Sequence, residues 1–250
     1  MMILYRIYQF VFMIPVLLVL TIITATVTII GSIAGNGRWW GYWPAHIWAK
    51  AFCILTFVRV SVVGRENISR NTSYVFVSNH QGAYDIFAIY GYLRHNFRWM
   101  MKKALERIPL VGYSCRVAGH VYVDASSPAA IQETMHEARE NLSHDMSVVV
   151  FPEGSRTPDG HMRRFKRGAF VLATQFNLPV VPMCIEGAYD VMPRNARLPR
   201  PGHIKLTIFP PILPDGANGN HADEMKLVER SYKTIADALP PRYAPQVRRD

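Results

Sequence analysis

Between Arg6 and Arg38 the chain runs for 31 residues without a formal charge, dense in Ile, Val, Leu and Thr. About 20 apolar residues suffice for a helix to cross the hydrocarbon core of a bilayer, so this stretch commits the N-terminus to a long apolar helix. Pro15 would kink or start that helix rather than forbid it. A tight aromatic cluster follows, Arg38-Trp39-Trp40-Gly41-Tyr42-Trp43-Pro44. Trp and Tyr favour the membrane–water interface, so the cluster reads as a turn at headgroup level. From His46 to Val63 the chain is apolar again, broken by Lys50 and Arg59, which suits a helix lying partly in the interface. The expectation is an N-terminal membrane-associated helical hairpin over residues 1–63. A signal peptide is the competing reading, because Ser32-Ile33-Ala34 resembles a small-residue cleavage site. Against it, the apolar run exceeds an ordinary h-region and Arg6 alone marks an n-region. A hairpin buried in a soluble domain is disfavoured by size, since the rest of the chain offers little core around two such helices.

Beyond the hairpin, apolar strand-like runs near 59–63, 74–78, 120–123, 147–151, 180–185 and 203–209 alternate with helical patterns near 83–94, 128–142 and 166–176. That alternation predicts an α/β domain over residues 64–240, layered, with a central, mostly buried sheet flanked by helices. Residues 222–239 have the pattern of a last amphipathic helix, and 241–250 read as a loose tail. No internal repeat or low-complexity tract interrupts the chain.

With 28 basic and 18 acidic side chains, the formal net charge is +10. Such a surface attracts anionic headgroups, at about 1 kcal/mol per Lys or Arg near the membrane surface. It would also attract nucleic acid, but no zinc-finger spacing, RNP-like strand or basic recognition helix is present, and the cations are scattered. Nucleic acid is therefore not an expected partner. The three cysteines, Cys53, Cys115 and Cys184, form no C-x-x-C pair, which argues against a disulfide framework or a zinc site and for a reducing compartment. His120, His136 and His144 lack ligand spacing, so no metal is expected.

Two stretches carry chemistry. In the first, Asn79-His80-Gln81-Gly82-Ala83-Tyr84-Asp85, a polar turn follows the apolar run Tyr74–Ser78 and precedes a helix beginning near Ala83. His80 falls in the turn and Asp85 in the first helical turn. If they meet, Asp85 fixes one ring nitrogen and leaves the other free to take a proton from an alcohol. An acid at a helix N-terminus also serves the helix dipole alone, so the spacing by itself leaves both readings open. No G-x-S-x-G elbow occurs, so the proton removed would be a substrate's. In the second stretch, Phe151-Pro152-Glu153-Gly154-Ser155-Arg156-Thr157, Pro152 ends a strand and a glycine lets backbone approach a ligand. Arg156 offers a planar fork matched to phosphate. Arg163 and Arg164 read as a solvated basic run.

Together these stretches resemble the 1-acyl-sn-glycerol-3-phosphate acyltransferases of the glycerolipid acyltransferase family. NHQGAYD is similar to that family's N-H-x-x-x-x-D block and FPEGSRT to its F-P-E-G-T/S-R block. Gly119-His120-Val121-Tyr122-Val123-Asp124 resembles the second block, and Val181-Pro182-Met183-Cys184-Ile185 the fourth. The resemblance covers roughly residues 74–210. It implies acyl transfer from an acyl thioester, acyl-CoA or acyl carrier protein, to the sn-2 hydroxyl of lysophosphatidic acid, without a cofactor. His80 would be the general base and Asp85 its orienter. Asn79, Lys102, Glu153, Gly154, Ser155 and Arg156 would form the substrate site, with Arg156 on the phosphate and Pro182 shaping the acyl pocket. Membrane lipids would be partners, and the catalytic domain would face the cytoplasm. One departure stands out: Ala125 occupies the place of a common family arginine, which leaves Lys102 or Lys103 to replace it. It also leaves glycerol 3-phosphate or another lysophospholipid as an alternative acceptor. A lipid-binding protein with a retired site and a lipid hydrolase are the more distant alternatives.

Overall fold

A computed structural model of the protein describes residues 2–124, 126–142, 146–215 and 221–246. The chain opens with α1 (Met2–Tyr8), which passes through a π-helical turn (Gln9–Met13) into α2 (Ile14–Ala34), a single helical rod. Pro15 follows just after the π-helical turn, where the backbone ladder already departs from the α pattern, so it does not end the rod. A short α3 (Gly37–Trp40) turns the chain into α4 (Trp43–Leu55). The expected hairpin is thus present, but its second arm ends at Leu55. Residues Val58–Val63, counted with the N-terminal segment in the sequence reading, form β1 and belong to the sheet.

The α/β layer comprises β2 (Val75–Ser78), α5 (Tyr84–Tyr92), β3 (Phe97–Lys102), α6 (Val111–Val117), β4 (Val121–Val123), α7 (Pro128–Leu142) and β5 (Ser147–Val150). It continues with α8 (Gly168–Gln175), β6 (Val180–Glu186), α9 (Ala188–Val191), β7 (Gly202–Ile208) and α10 (His221–Ala238). Seven strands form one sheet in the order β1-β7-β6-β2-β5-β3-β4. All neighbours are parallel except β6 and β7. The strand β3 was not expected from the sequence; the others were.

Parallel strands covered on both faces read as continuous apolar runs, and β2, β5 and β6 do so. On one face Phe76, Val149 and Val181 pack against Ala88 and Ile89 of α5 and Ala49 and Cys53 of α4. On the other, Val75, Val77, Val148 and Val180 meet Phe170 and Leu172 of α8, Ala138 of α7 and Leu227 of α10. The helix rod lies along the domain's edge. Gln9, fully buried, donates through Nε2 to the Pro199 carbonyl at 2.9 Å and accepts from Arg6 at 2.6 Å. Farther along, Trp48 Nε1 donates to Thr21 Oγ1 at 2.9 Å, and the Trp40 ring fills the space over Gly31. The opposite flank of the rod is apolar and exposed.

Phe76, fully buried in the central strand just ahead of the His80 turn, is the sharpest probe of this core. Phe76→Ala is expected to cost about 3–5 kcal/mol, read as a lower urea midpoint.

Candidate active site

β2 and β5 run side by side with Val77 opposite Val150. Their connections leave on opposite faces, β2 into α5 and β5 into α8. Between two such strands an open α/β sheet leaves a crevice at the carboxyl ends, where ligands bind. The register also sets His80 and Glu153, each three residues beyond the Val77–Val150 pair, at the same level.

His80 and Asp85 do meet. Asp85 Oδ2 accepts from His80 Nδ1 at 2.7 Å and from the Gly82 N–H at 2.9 Å. A carboxylate can only accept, so Nδ1 carries the proton and Nε2 is left as the acceptor. Asp85 is fully buried, while 13% of the His80 side chain stays exposed, so the ring is held from behind and reachable in front. The imidazole lies flat on Phe151, centroids 3.9 Å apart and planes within 7°. Phe151 in turn stacks on Trp99 of β3 at 5.5 Å. Neither ring was singled out from the sequence as support for His80: Phe151 was read as the last residue of a strand-like run, and Trp99 lies inside β3, which the sequence did not announce.

Glu153 is 3% exposed and both its oxygens are engaged. Oε1 accepts from the His80 N–H at 2.7 Å, and Oε2 from the Arg163 N–H at 2.9 Å. The Thr157 N–H donates back to the His80 carbonyl at 2.9 Å. Glu153 therefore holds the two motif loops together instead of facing a ligand. Burial raises its carboxyl to about 8; the two N–H donors pull downward, and the nearby Asp85 charge adds to the rise.

Asn79 has a similar holding role. It is fully buried, donates to the Ile185 carbonyl at 2.9 Å and accepts from the Ile185 N–H at 2.8 Å. Its amide thereby extends the β2–β6 pairing by one rung beyond the strand. Gly154 adopts φ +75°, a backbone state that disfavours any side chain. Ser155 Oγ accepts from Arg163 at 3.0 Å. Arg156 is half-buried and makes no hydrogen bond or ion pair among the described residues.

Lys102 ends β3, exposed and likewise unpaired, at the carboxyl edge two strands from β2. Lys103 is engaged with Asp124 at 2.9 Å. Pro182 is buried in β6 opposite Val77. Ala125 and His144 lie outside the described residues. His120 is buried, accepting from the Trp99 N–H at 3.2 Å, and burial pushes it down to about 3. Among the described residues, no three of His, Cys, Asp or Glu gather as a metal site.

Comparison with known proteins places this geometry. An acyltransferase family model matches residues 59–186, about half of the chain. The 1-acyl-sn-glycerol-3-phosphate acyltransferase of Chlamydomonas reinhardtii is 30% identical over 199 residues, 78% of this chain and 57% of the algal protein. The 1-acyl-sn-glycerol-3-phosphate acyltransferase alpha of Homo sapiens is 32% identical over 160 residues, 64% of this chain and 56% of the human protein. The chain thus spans little more than half the length of the curated relatives it matches. Among solved structures, the crystal structure of the 1-acyl-sn-glycerophosphate (LPA) acyltransferase PlsC from Thermotoga maritima superimposes with a TM-score of 0.64 at 28% identity, covering 78% of this chain and 79% of that one.

The Glu153 clamp has a pH signature. Its folded-state carboxyl titrates near 8 and its unfolded one near 4.5. Stability from keeping it protonated is therefore complete below the lower value and is lost as pH rises toward the upper one. Glu153→Gln removes that titration and turns one accepting oxygen into an amide that cannot accept, costing about 1–3 kcal/mol. Urea midpoints taken from about pH 5 to about pH 8 should fall more steeply in the wild type than in the variant.

Proposed function

The chain belongs to the acyltransferase family, and from that premise we propose that it moves an acyl chain from a thioester to the sn-2 hydroxyl of lysophosphatidic acid, giving phosphatidic acid. One observation carries the reading: the crevice between β2 and β5 presents an oriented imidazole and, on the next loop, a guanidinium without a partner among the described residues. A base for an alcohol and a fork for a phosphate are the two groups that such an acceptor requires.

The chemistry follows from that arrangement. The acceptor hydroxyl gives its proton to His80 Nε2 while its oxygen bonds to the thioester carbonyl carbon. Asp85, on Nδ1, stabilises the imidazolium that forms. The tetrahedral oxyanion then collapses, the C–S bond breaks, and the imidazolium returns the proton to the departing thiolate. Every proton is handled by His80, so no step calls for a cofactor. Arg156, with Lys102 at the neighbouring strand end, would bind the phosphate. The donor would be acyl-CoA or acyl carrier protein.

A membrane setting fits the same reading. Within the rod from Ile3 to Ala34 an 18-residue window reaches a mean hydropathy of 2.6, and the rod is long and apolar enough to cross a bilayer. At 1.5 Å per residue it is about 48 Å long, against about 30 Å of hydrocarbon. It is docked to the domain through Gln9, which donates to the Pro199 carbonyl, and farther along through the packing of α2 on α6. An upright span would carry the domain's polar surface into hydrocarbon, which is costly. The attachment favours a rod seated in one leaflet with its exposed flank in lipid. Three free thiols suit placement of the domain on the reducing, cytoplasmic side.

Incubating the purified protein with lysophosphatidic acid and a labelled acyl thioester, as coenzyme A and carrier-protein forms in turn, tests the proposal. His80→Ala should lower turnover by about a hundredfold or more. Absence of diacylated product with either donor would sink the assignment. Arg156→Ala should raise KM for the lysolipid more than it lowers kcat, because a phosphate contact is made in ground and transition states alike.

A further inference from the structure

The segment 103–113 leaves the carboxyl end of β3, beside the crevice, and does something unusual for a surface loop. Leu105, Ile108, Leu110 and Tyr113 are between 39% and 54% exposed, four large apolar side chains within nine residues. Connecting segments are ordinarily polar, and a clustered apolar patch marks a contact surface. The backbone is arranged to present it. Leu110 has φ +62° and ψ −51°, and the Val111 N–H donates to the Pro109 carbonyl at 2.6 Å. This is a γ-turn of the strained, left-handed kind, rare for a bulky residue.

Such strain persists only where the surroundings over-determine it, and here they do. The Gly112 N–H donates to the Ile108 carbonyl at 2.8 Å, Tyr122 Oη donates to the Gly112 carbonyl at 2.8 Å, and Arg116 pairs with Glu106. A side chain at Gly112 would strike the Glu106 carbonyl, so loop and α6 are locked together. α6 in turn packs against α2, whose exposed flank includes Ile22, Ile30 and Ile33. The loop's apolar patch is thus carried on the same rigid body as the rod's apolar flank. Lys102 and Arg107 frame the loop, exposed and unpaired among the described residues, as cations at headgroup level would be.

We infer that residues 103–113 are a second membrane-contacting element, a rigid wedge whose Leu105, Ile108, Leu110 and Tyr113 sit among acyl chains beside the strand ends that carry His80 and Arg156. The wedge rests on the membrane setting proposed above. It brings the crevice down to the bilayer surface, so that a lysolipid reaches the base with its own chain still in lipid.

Introduced cysteines test this: Ile108→Cys, Leu110→Cys and, as a control on α10, Arg230→Cys, each in a Cys115→Ser background, where the remaining Cys53 and Cys184 are buried, and labelled with the environment-sensitive fluorophore NBD. Each is mixed with vesicles of phosphatidylethanolamine and phosphatidylglycerol, and co-sedimentation is measured in parallel. Expected is a blue shift with a rise in intensity at 108 and 110 and none at 230. Vesicle-bound protein without that shift overturns the wedge and leaves the membrane setting standing. Failure to sediment with vesicles overturns both. A shift that needs no vesicles and grows with protein concentration would assign the face to a second copy of the chain and overturn the inference.

Discussion

One carboxyl group joins the two halves of the crevice. Glu153 accepts the N–H of the catalytic candidate His80 with one oxygen and that of Arg163 with the other. Neither N–H lies in a strand ladder, and a buried donor left unpaired costs about 1–3 kcal/mol. The clamp is possible because parallel pairing of Val77 with Val150 delivers both loops at the same height. Everything forward of it depends on that height: the imidazole's seat on Phe151, its bond to Asp85, and the path of the loop that carries Arg156. Asn79 fixes the other side in the same way, taking both polar atoms of Ile185. The conspicuous polar residues of the two motifs therefore divide into those that hold and those that face out.

That division was not legible in the sequence. Spacing suggested that His80 and Asp85 could meet, because a turn followed by a helix N-terminus brings positions five apart together. It could not show that Asn79 and Glu153 spend their hydrogen bonds on backbone, since those partners are 106 and 73 residues away. The strands β2, β5 and β6 were readable because both faces are covered and nearly every position is apolar. β3 was not. Its sequence Phe97-Arg98-Trp99-Met100-Met101-Lys102 carries an arginine that looks solvent-facing but is 4% exposed. Arg98 is satisfied by the Gly37 carbonyl at 3.1 Å and by the Asn96 side chain at 3.0 Å. A buried cation is tolerable only with such partners, and one of them comes from the N-terminal hairpin, far away in sequence.

The N-terminal stretch shows the converse. Its length and composition announced an apolar helix, yet the attachment of that helix depends on a single polar exception. Gln9 is the kind of residue that weakens a hydropathy reading, but its burial against Pro199 fixes where the rod meets the domain. The π-helical turn from Gln9 to Met13 falls at that contact, as such turns often do where a helix answers to a partner. The sequence reading drew the segment boundary at Val63 while also marking 59–63 as strand-like, and pairing of Val58–Val63 with β7 places that run in the sheet.

Basic residues around the strand ends can be ranked by what they would have to give up to bind a phosphate. Arg163 holds Ser155, and its own backbone is tied to Glu153. Arg116 is paired with Glu106 within the wedge. Lys103 pairs with Asp124, whose carboxyl is drawn down to about 2 by hydrogen bonds from Ser126 and Lys103. Lys103 is exposed and Asp124 half-buried, and ion pairs at the surface contribute only about 0–1 kcal/mol, so a doubly charged phosphate could draw Lys103 away. Lys102 gives up nothing but water, though a flexible ammonium surrenders rotamer freedom on binding. Arg156 gives up least: it is already half-buried, without a partner among the described residues and planar, on the loop that the Glu153 clamp fixes beside the imidazole. A fork placed that way would discriminate a phosphate from a neutral headgroup by geometry as well as charge.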